Sequence, residues 1–213
     1  MLCTAEWAER ISALISKLPR WVEFGGACLA INAGFINAVG LLGVSHQAIS
    51  HLTGTSTVLS LALAHQQPAE VMHLLLVMLS FVLGAAYSGL IIGNTALQLG
   101  RRYSVTLLTE SFLLLLATWF LAQDSNWGHL FASAACGLQN AMTSTYSGAV
   151  VRTTHVSGMF TDLGVSLGLA LRGQRQDRRK ITLYLILVTS FMVGGVLGSV
   201  CYLHYQFAAL WVP

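Results

Sequence analysis

Three short motifs occur twice in this chain, in the same order and about a hundred residues apart. The first half contains GFINA at 34–38, HLTG at 51–54 and SFVLG at 80–84. The second half contains GLQNA at 137–141, HVSG at 155–158 and SFMVG at 190–194. Three ordered landmarks rarely match by chance, so the sequence predicts two copies of one unit. Duplicated membrane units with polar, glycine-rich breaks at equivalent places are typical of transporters, whose site lies between the halves.

The composition places these units in a membrane. Hydrophobic residues make up 55% of the 213-residue chain and charged residues only 9%, whereas a soluble domain carries about 25% charged residues. The basic residues gather before residue 21, at 101–102 and at 172–180, which is typical of cytoplasmic loops and not of a nucleic-acid-binding surface. The four cysteines have no metal-binding spacing. We therefore expect no cofactor, no metal and no nucleic-acid partner.

Five stretches are long and apolar enough to cross a bilayer, which takes about 20 residues. They lie near 22–45, 71–93, 103–122, 127–148 and 181–204. Two shorter stretches, near 51–65 and 155–171, begin with a polar His-x-Thr/Ser-Gly motif and then become apolar. We expect each to be an extended segment followed by a half-length helix. Because irregular backbone at membrane depth must be surrounded by protein or by a watery cavity, both are predicted to line a cavity.

The predicted fold is an all-α polytopic integral membrane protein with one membrane domain over 1–213. Its parts are an interfacial amphipathic helix at 1–20, repeat 1 at 21–93, a linking helix at 103–122 and repeat 2 at 127–204. Small residues at every fourth position of the paired spans predict close helix contacts. If the short segments re-enter the membrane, the basic loops and the N-terminus are cytoplasmic and the repeats are inverted. If they cross, seven spans result and the repeats are parallel. The positive-inside bias favours the first arrangement.

These motifs resemble those of the YoaK-like bacterial membrane proteins, the domain of unknown function numbered 1275. The resemblance rests on GFINA at 34–38, HLTG at 51–54 and RTTHVSGMFTD at 152–162, and it covers nearly the whole chain. It implies a duplicated, multi-pass protein of the bacterial inner membrane, without a settled activity. Asn37 stands where an aspartate is common in the family, and Thr55 where an asparagine is common. A proton-carrying role for that aspartate is therefore not carried over.

The starts of the two half-length helices are the predicted substrate-binding elements. A helix start presents unpaired N–H groups and a partial positive charge, which suit a polar or anionic group. Gly54 and Gly158 would let the backbone approach a solute closely. The nearby hydroxyl groups either face the solute or cap the helices. The candidates at these starts are His51, Thr53, Gly54, Thr57, His155, Ser157, Gly158 and Thr161.

The equivalent histidines and asparagines each have two interpretations. His51 and His155 either bind substrate and relay protons or pack as loop histidines. Asn37 and Asn140 hydrogen-bond either the solute or the broken segment of their own repeat, because an amide within a membrane span needs partners. All four are included among the predicted substrate-binding residues.

Two carboxylates in apolar surroundings are the candidates for proton coupling. Glu110 lies in the predicted linking helix, and Asp162 lies in the second half-length helix, where Val58 is its counterpart in the first half. Desolvation favours the protonated carboxyl, which suits proton transfer. Alternatively, Glu110 reaches toward the membrane surface. Arg152 is either a gate residue or a charge that sets topology.

The sequence predicts a secondary transporter for a small polar or anionic solute, with a proton as the candidate coupling ion. The alternatives are a passive channel and a non-transporting membrane scaffold or sensor. Nucleophile-elbow, metalloprotease and phosphate-loop motifs are absent from the sequence, so we do not expect an enzyme. The predicted partners are the lipid bilayer and the solute, with a homo-oligomer left open.

Overall fold

The described part of the chain is mostly α-helical. The computed structural model describes residues 19–43, 49–93, 100–147 and 152–211, and these residues contain no β-strand. They form seven α-helices: α1 (Arg20–Leu42), α2 (Leu52–Ala64), α3 (Pro68–Ile92), α4 (Arg101–Leu121), α5 (Trp127–Tyr146), α6 (Val156–Leu171) and α7 (Arg178–Tyr205). A 3-10 helix, Gln206–Trp211, follows α7. The all-α prediction is confirmed. The helix predicted at 1–20 lies outside the described residues apart from its last two positions.

Four helices have the length and apolarity that a bilayer requires. These are α1, α3, α4 and α7, the last counted together with the 3-10 helix. Large apolar side chains stand on their outer surfaces, including Phe24, Leu90, Leu108 and Leu203. An apolar exterior of this extent is unfavourable in water and favourable in lipid. These features indicate a membrane protein, as predicted.

Helix α5 differs from the span predicted at 127–148. It is 20 residues long, but it is not among the four apolar helices. Ser133 and Gln139 on α5 are fully buried, because α5 packs against α3, α4 and α1. A helix enclosed by other helices meets little lipid, so it can carry polar side chains that have protein partners. The sequence therefore predicted the position of this helix correctly but not its polar, central character.

Helices α1 and α7 run parallel in close contact. A methyl group added at Gly34 would overlap the Phe191 carbonyl, and one added at Gly194 would overlap the Ile31 carbonyl. Near the helix starts, Arg179 forms an ion pair with Glu23 at 2.8 Å. Small residues let the two backbones approach closely. Such close packing holds helices together in a membrane, where lipid tails provide no hydrophobic drive.

Helices α3 and α5 form a second parallel pair. A methyl group at Gly84 would overlap the Ala134 carbonyl, and one at Gly137 would overlap the Phe81 carbonyl. The Ser133 hydroxyl also donates a hydrogen bond to the Val77 carbonyl at 2.9 Å. Near the helix starts, the rings of His73 and His129 lie 5.5 Å apart. Both pairs use the small-residue faces that the sequence predicted.

One end of the bundle carries the basic residues. Val22 of α1, Tyr103 of α4 and Leu183 of α7 share one core cluster, so α1, α4 and α7 begin at the same end, which we call the basic end. A second core cluster, near the opposite end, includes Val39 of α1 and Leu121 of α4. Within the described ranges, every arginine and lysine except Arg152 lies at or near the basic end.

Candidate functional site

A cavity of about 340 Å³ lies between the starts of α2 and α6. Residues that precede and begin α2 form one wall, and their counterparts around α6 form another. Phe81 of α3 and two residues of α5 complete the lining. The lining residues are Ser50, His51, Leu52, Thr53, Phe81, Asn140, Ser144, Arg152, Thr154, His155 and Ser157. The structure therefore brings the two His-x-Thr/Ser-Gly segments to one cavity.

Both short helices begin at this cavity with a histidine in the N-cap position. Helix α2 has 13 residues and α6 has 16, or about 20 and 24 Å at 1.5 Å per residue. Both are shorter than the roughly 30 Å of a bilayer core. In the described structure neither N-cap histidine makes a side-chain cap hydrogen bond. The partial positive charge of each helix start is therefore presented near the cavity.

Each histidine ring folds over the glycine three residues later. A methyl group at Gly54 would contact Nδ1 of His51, and one at Gly158 would overlap Nε2 of His155. The glycine in each motif therefore makes room for its own histidine ring. Sequence reasoning attributed these glycines to close approach of a solute and missed the contact with the ring. The sequence did contain a signal for this contact, because the glycine follows the histidine by three residues in both motifs.

The two asparagines hold the residues immediately before these histidines. Oδ1 of Asn37 accepts hydrogen bonds from the backbone N–H and the hydroxyl of Ser50, both at 3.1 Å. Oδ1 of Asn140 accepts a hydrogen bond from the Thr154 hydroxyl at 3.1 Å. Of the two interpretations left open by the sequence, the structure shows contact with the asparagine's own segment in both halves. Asn140 also lines the cavity, whereas Asn37 is not among its lining residues.

The hydroxyl groups divide into two sets. Thr53 and Ser157 are exposed and line the cavity. Thr57 and Thr161 instead donate hydrogen bonds to the carbonyls of Thr53 and Ser157, both at 3.0 Å. Such bonds to the preceding turn are common for threonine in helices. Thr57, Thr161 and the two motif glycines do not belong to the cavity lining given above.

The formal charge in the described lining of the cavity is positive. Arg152 lines the cavity, and none of the described lining residues is an aspartate or glutamate. Arg152 takes part in neither of the two ion pairs found among the described residues. Together with two helix starts, this guanidinium makes the cavity electropositive.

The two predicted proton-coupling residues lie elsewhere. Asp162, with 46% of its side chain exposed, lies 3.8 Å from the Lys180 ammonium and interacts electrostatically with Tyr184. Glu110 is buried inside the bundle with 3% exposure, where Asn32 donates a hydrogen bond to Oε1 at 3.4 Å. Neither carboxylate lines the cavity.

A second hollow is apolar. It measures about 390 Å³ and lies between α1, α4 and α5, with Phe24, Leu29, Tyr103 and Met142 in its wall. It offers few groups that would orient a polar solute. Among the described residues, no three side chains of histidine, cysteine, aspartate or glutamate lie close enough together to hold a metal ion.

Comparison with known proteins agrees with the resemblance in the motifs. The sequence model of a family described as "Protein of unknown function (DUF1275)" matches residues 25–213. The chain belongs to the DUF1275 family. The matched region contains both His-x-Thr/Ser-Gly segments and all seven described helices except the first turn of α1. Searches of curated proteins and of solved structures gave no match.

Proposed function

We propose that this DUF1275 protein is a secondary transporter of a small anionic solute. The observation that carries this proposal is the cavity at which α2 and α6 both begin. Transporter sites are commonly built from discontinuous helices whose positive ends point at anionic groups of the substrate. The solute would contact the helix starts, His51 and His155, with hydroxyl groups from Thr53 and Ser157.

The charge of the lining favours an anion over a cation. Two helix starts contribute partial positive charge, and Arg152 contributes a full one without a carboxylate in the lining. A guanidinium binds oxyanions with two parallel hydrogen bonds. A cation in the same position would be repelled by all three elements. Within this proposal, Arg152 is the group that attracts the solute and then gates its passage.

We further propose that residues 21–93 and 127–204 are inverted structural repeats. Support comes from contacts that recur in both halves. The contact of Gly34 with Phe191 has its counterpart in that of Gly137 with Phe81. The bond between Asn37 and Ser50 likewise has its counterpart in that between Asn140 and Thr154.

The helix directions support the inversion. Helix α1 begins at the basic end, whereas α5, its counterpart, ends there, since Met142 near its end shares the core cluster of Val22. The positive-inside rule would put the basic end and the N-terminus in the cytoplasm of a bacterial inner membrane. In this arrangement α4 links the repeats, and α2 and α6 re-enter the membrane from opposite sides.

Uptake by the purified protein in liposomes tests the proposal. The probes are chloride, nitrate, formate, sulfate, phosphate and small carboxylates, each with and without a proton or sodium gradient. We expect accumulation of at least one anion, and strong loss of uptake in Arg152→Gln. The control is Arg175→Gln, which removes a charge of the same type from the loop before α7. Failure of the folded protein to move any of these anions would count against the proposal.

The same experiment separates transport from a passive channel. A coupled transporter accumulates the anion above its equilibrium level and stops when the gradient is abolished. A channel instead allows only equilibration and produces an ionic conductance across planar bilayers. Uptake without accumulation, together with such a conductance, would replace our proposal by the channel.

A further inference from the structure

Glu110 lies at the meeting point of three helices, away from the cavity. It belongs to α4 and is 3% exposed. Asn32 of α1 donates a hydrogen bond to its Oε1 at 3.4 Å. Within the described part of the chain, the titratable group that interacts electrostatically with Glu110 is the Cys136 thiol of α5. No basic side chain in the described ranges forms an ion pair with Glu110.

Gln139 of α5 contacts α1 close to Asn32, the residue that donates to Glu110. Its Nε2 donates a hydrogen bond to the Leu29 carbonyl at 2.8 Å, and Leu29 lies one helical turn before Asn32 on the same face of α1. On α5, Gln139 lies one turn after Cys136, which interacts with Glu110. On both α1 and α5, the Gln139 side chain is therefore anchored one helical turn from a neighbour of Glu110.

Three buried oxygen atoms in this cluster have no hydrogen-bond donor among the described residues. They are Oε2 of Glu110, Oδ1 of Asn32 and Oε1 of Gln139. Rotating the Gln139 amide would only turn its oxygen toward the Leu29 carbonyl, which is also an acceptor. Buried polar atoms are nearly always satisfied in folded proteins. A cluster with an excess of acceptors and one uncompensated carboxylate is suited to bind a small cation.

We propose that Glu110, Asn32 and Gln139 form a binding site for a monovalent cation, either Na⁺ or a proton. Na⁺ would neutralise the carboxylate and take the amide oxygens as ligands, since hard cations prefer oxygen. A proton on Oε2 would turn that acceptor into a donor toward an amide oxygen. The inference is independent of the proposed anion site and would hold equally for a channel or a sensor.

The test measures thermal unfolding of the full-length protein in detergent micelles. NaCl is titrated against choline chloride at constant ionic strength, and the series is repeated from pH 5 to pH 9. A ligand that binds only the folded state raises the unfolding temperature as its concentration rises. A Na⁺ site therefore gives stabilisation by Na⁺ at fixed pH. A proton site gives stability that is greater at low pH and is lost as the pH rises, without an effect of Na⁺.

The decisive variant is Glu110→Gln, which keeps the shape of the side chain and removes its charge. We expect it to abolish the dependence on Na⁺ or pH that Glu110 supplies, while the protein remains folded. The control is Asp124→Asn in the turn after α4, where the carboxylate is exposed, and it should keep the wild-type response. Equal responses of wild type and Glu110→Gln to both Na⁺ and pH would overturn the proposal.

A second variant tests the amide ligand. Gln139→Met has a similar length and removes the buried oxygen. We expect the midpoint of the response to move by about tenfold in Na⁺ or proton concentration, toward weaker binding, as loss of one hydrogen bond or ligand to a charged group would cause. An unchanged midpoint in the folded variant would show that Glu110 acts without Gln139 and would refute the three-residue site.

Discussion

The segments that lead into α2 and α6 share their backbone anchoring but differ in charge. In both, an asparagine from the preceding long helix holds the residue before the histidine, and the histidine ring covers the glycine of the first turn. Only the second segment carries Arg152 and Asp162, with Lys180 and Tyr184 nearby. The first has Val58 where the second has Asp162. The common parts form the framework of the cavity, and of the unequal residues only Arg152 is among its described lining.

The largest losses of stability should come from the two close helix contacts, that of Gly34 with Phe191 and that of Gly137 with Phe81. Gly34→Ala and Gly137→Ala would each push a methyl group into a backbone carbonyl, which cannot move aside as a side chain can. We expect each to lower the free energy of unfolding by about 3 kcal/mol, the upper range for overpacking. Gly89→Ala is the control, because nothing lies within 4 Å of its added methyl group. Reversible unfolding in mixed micelles measures the free energy of unfolding of each variant. A stable Gly137→Ala beside an unstable Gly34→Ala would show that the two helix contacts are not equivalent.

The next effect concerns the charge that only one half carries. Arg152→Gln should weaken anion binding by about 2 kcal/mol, the usual contribution of a hydrogen bond to a charged group. Isothermal titration with whichever anion the liposome experiment identifies measures this loss. The unfolding temperature should stay near that of wild type, because Arg152 is exposed and forms no ion pair within the described structure. Unchanged affinity in Arg152→Gln would show that Arg152 does not make the two segments different in anion binding.

Substitution of the two asparagines should cause smaller losses of stability, and the two losses should differ. Asn37→Ala leaves the N–H and the hydroxyl of Ser50 without their acceptor, whereas Asn140→Ala affects only the Thr154 hydroxyl. With each hydrogen bond contributing about 1 kcal/mol, we expect losses of stability of about 2 and 1 kcal/mol. The same unfolding measurement applies to both. A larger loss for Asn140→Ala would show that other groups hold the second segment less firmly than the first.

The smallest effect should follow removal of Asp162. Its carboxylate is nearly half exposed and 3.8 Å from the Lys180 ammonium, and exposed pairs contribute about 0–1 kcal/mol. We expect Asp162→Asn to lower the free energy of unfolding by less than 1 kcal/mol. High salt should remove even this difference, since it screens exposed charges. A loss that persists in high salt would indicate that a contact with Tyr184, and not the ion pair, anchors α6 to α7.

The sequence predicted what depends on local pattern. The motif repeats located both short helices, and a bond from Asn37 and Asn140 to the segment before each short helix was one of the two interpretations left open. In contrast, the contact between Asn32 and Glu110 joins residues 78 positions apart. It depends on how α1 and α4 are rotated about their axes, which apolar periodicity defines poorly in helices that are hydrophobic on most sides. The contact of Asp162 with Lys180 depends in the same way on the turn between α6 and α7.

The glycine contacts have a consequence for motion. Where helix backbones touch, no side chain lies between them to absorb a displacement, so α1 with α7 and α3 with α5 would each behave as a rigid body. Large rearrangements in packed proteins occur by hinge or shear at the boundaries of such bodies. Here the boundary crosses the contacts of α1 with α5 and with α4, which packs against α5; Leu29 meets Gln139 and Asn32 meets Glu110 there. A change of protonation or ion content at that boundary would act where the two bodies slide past each other.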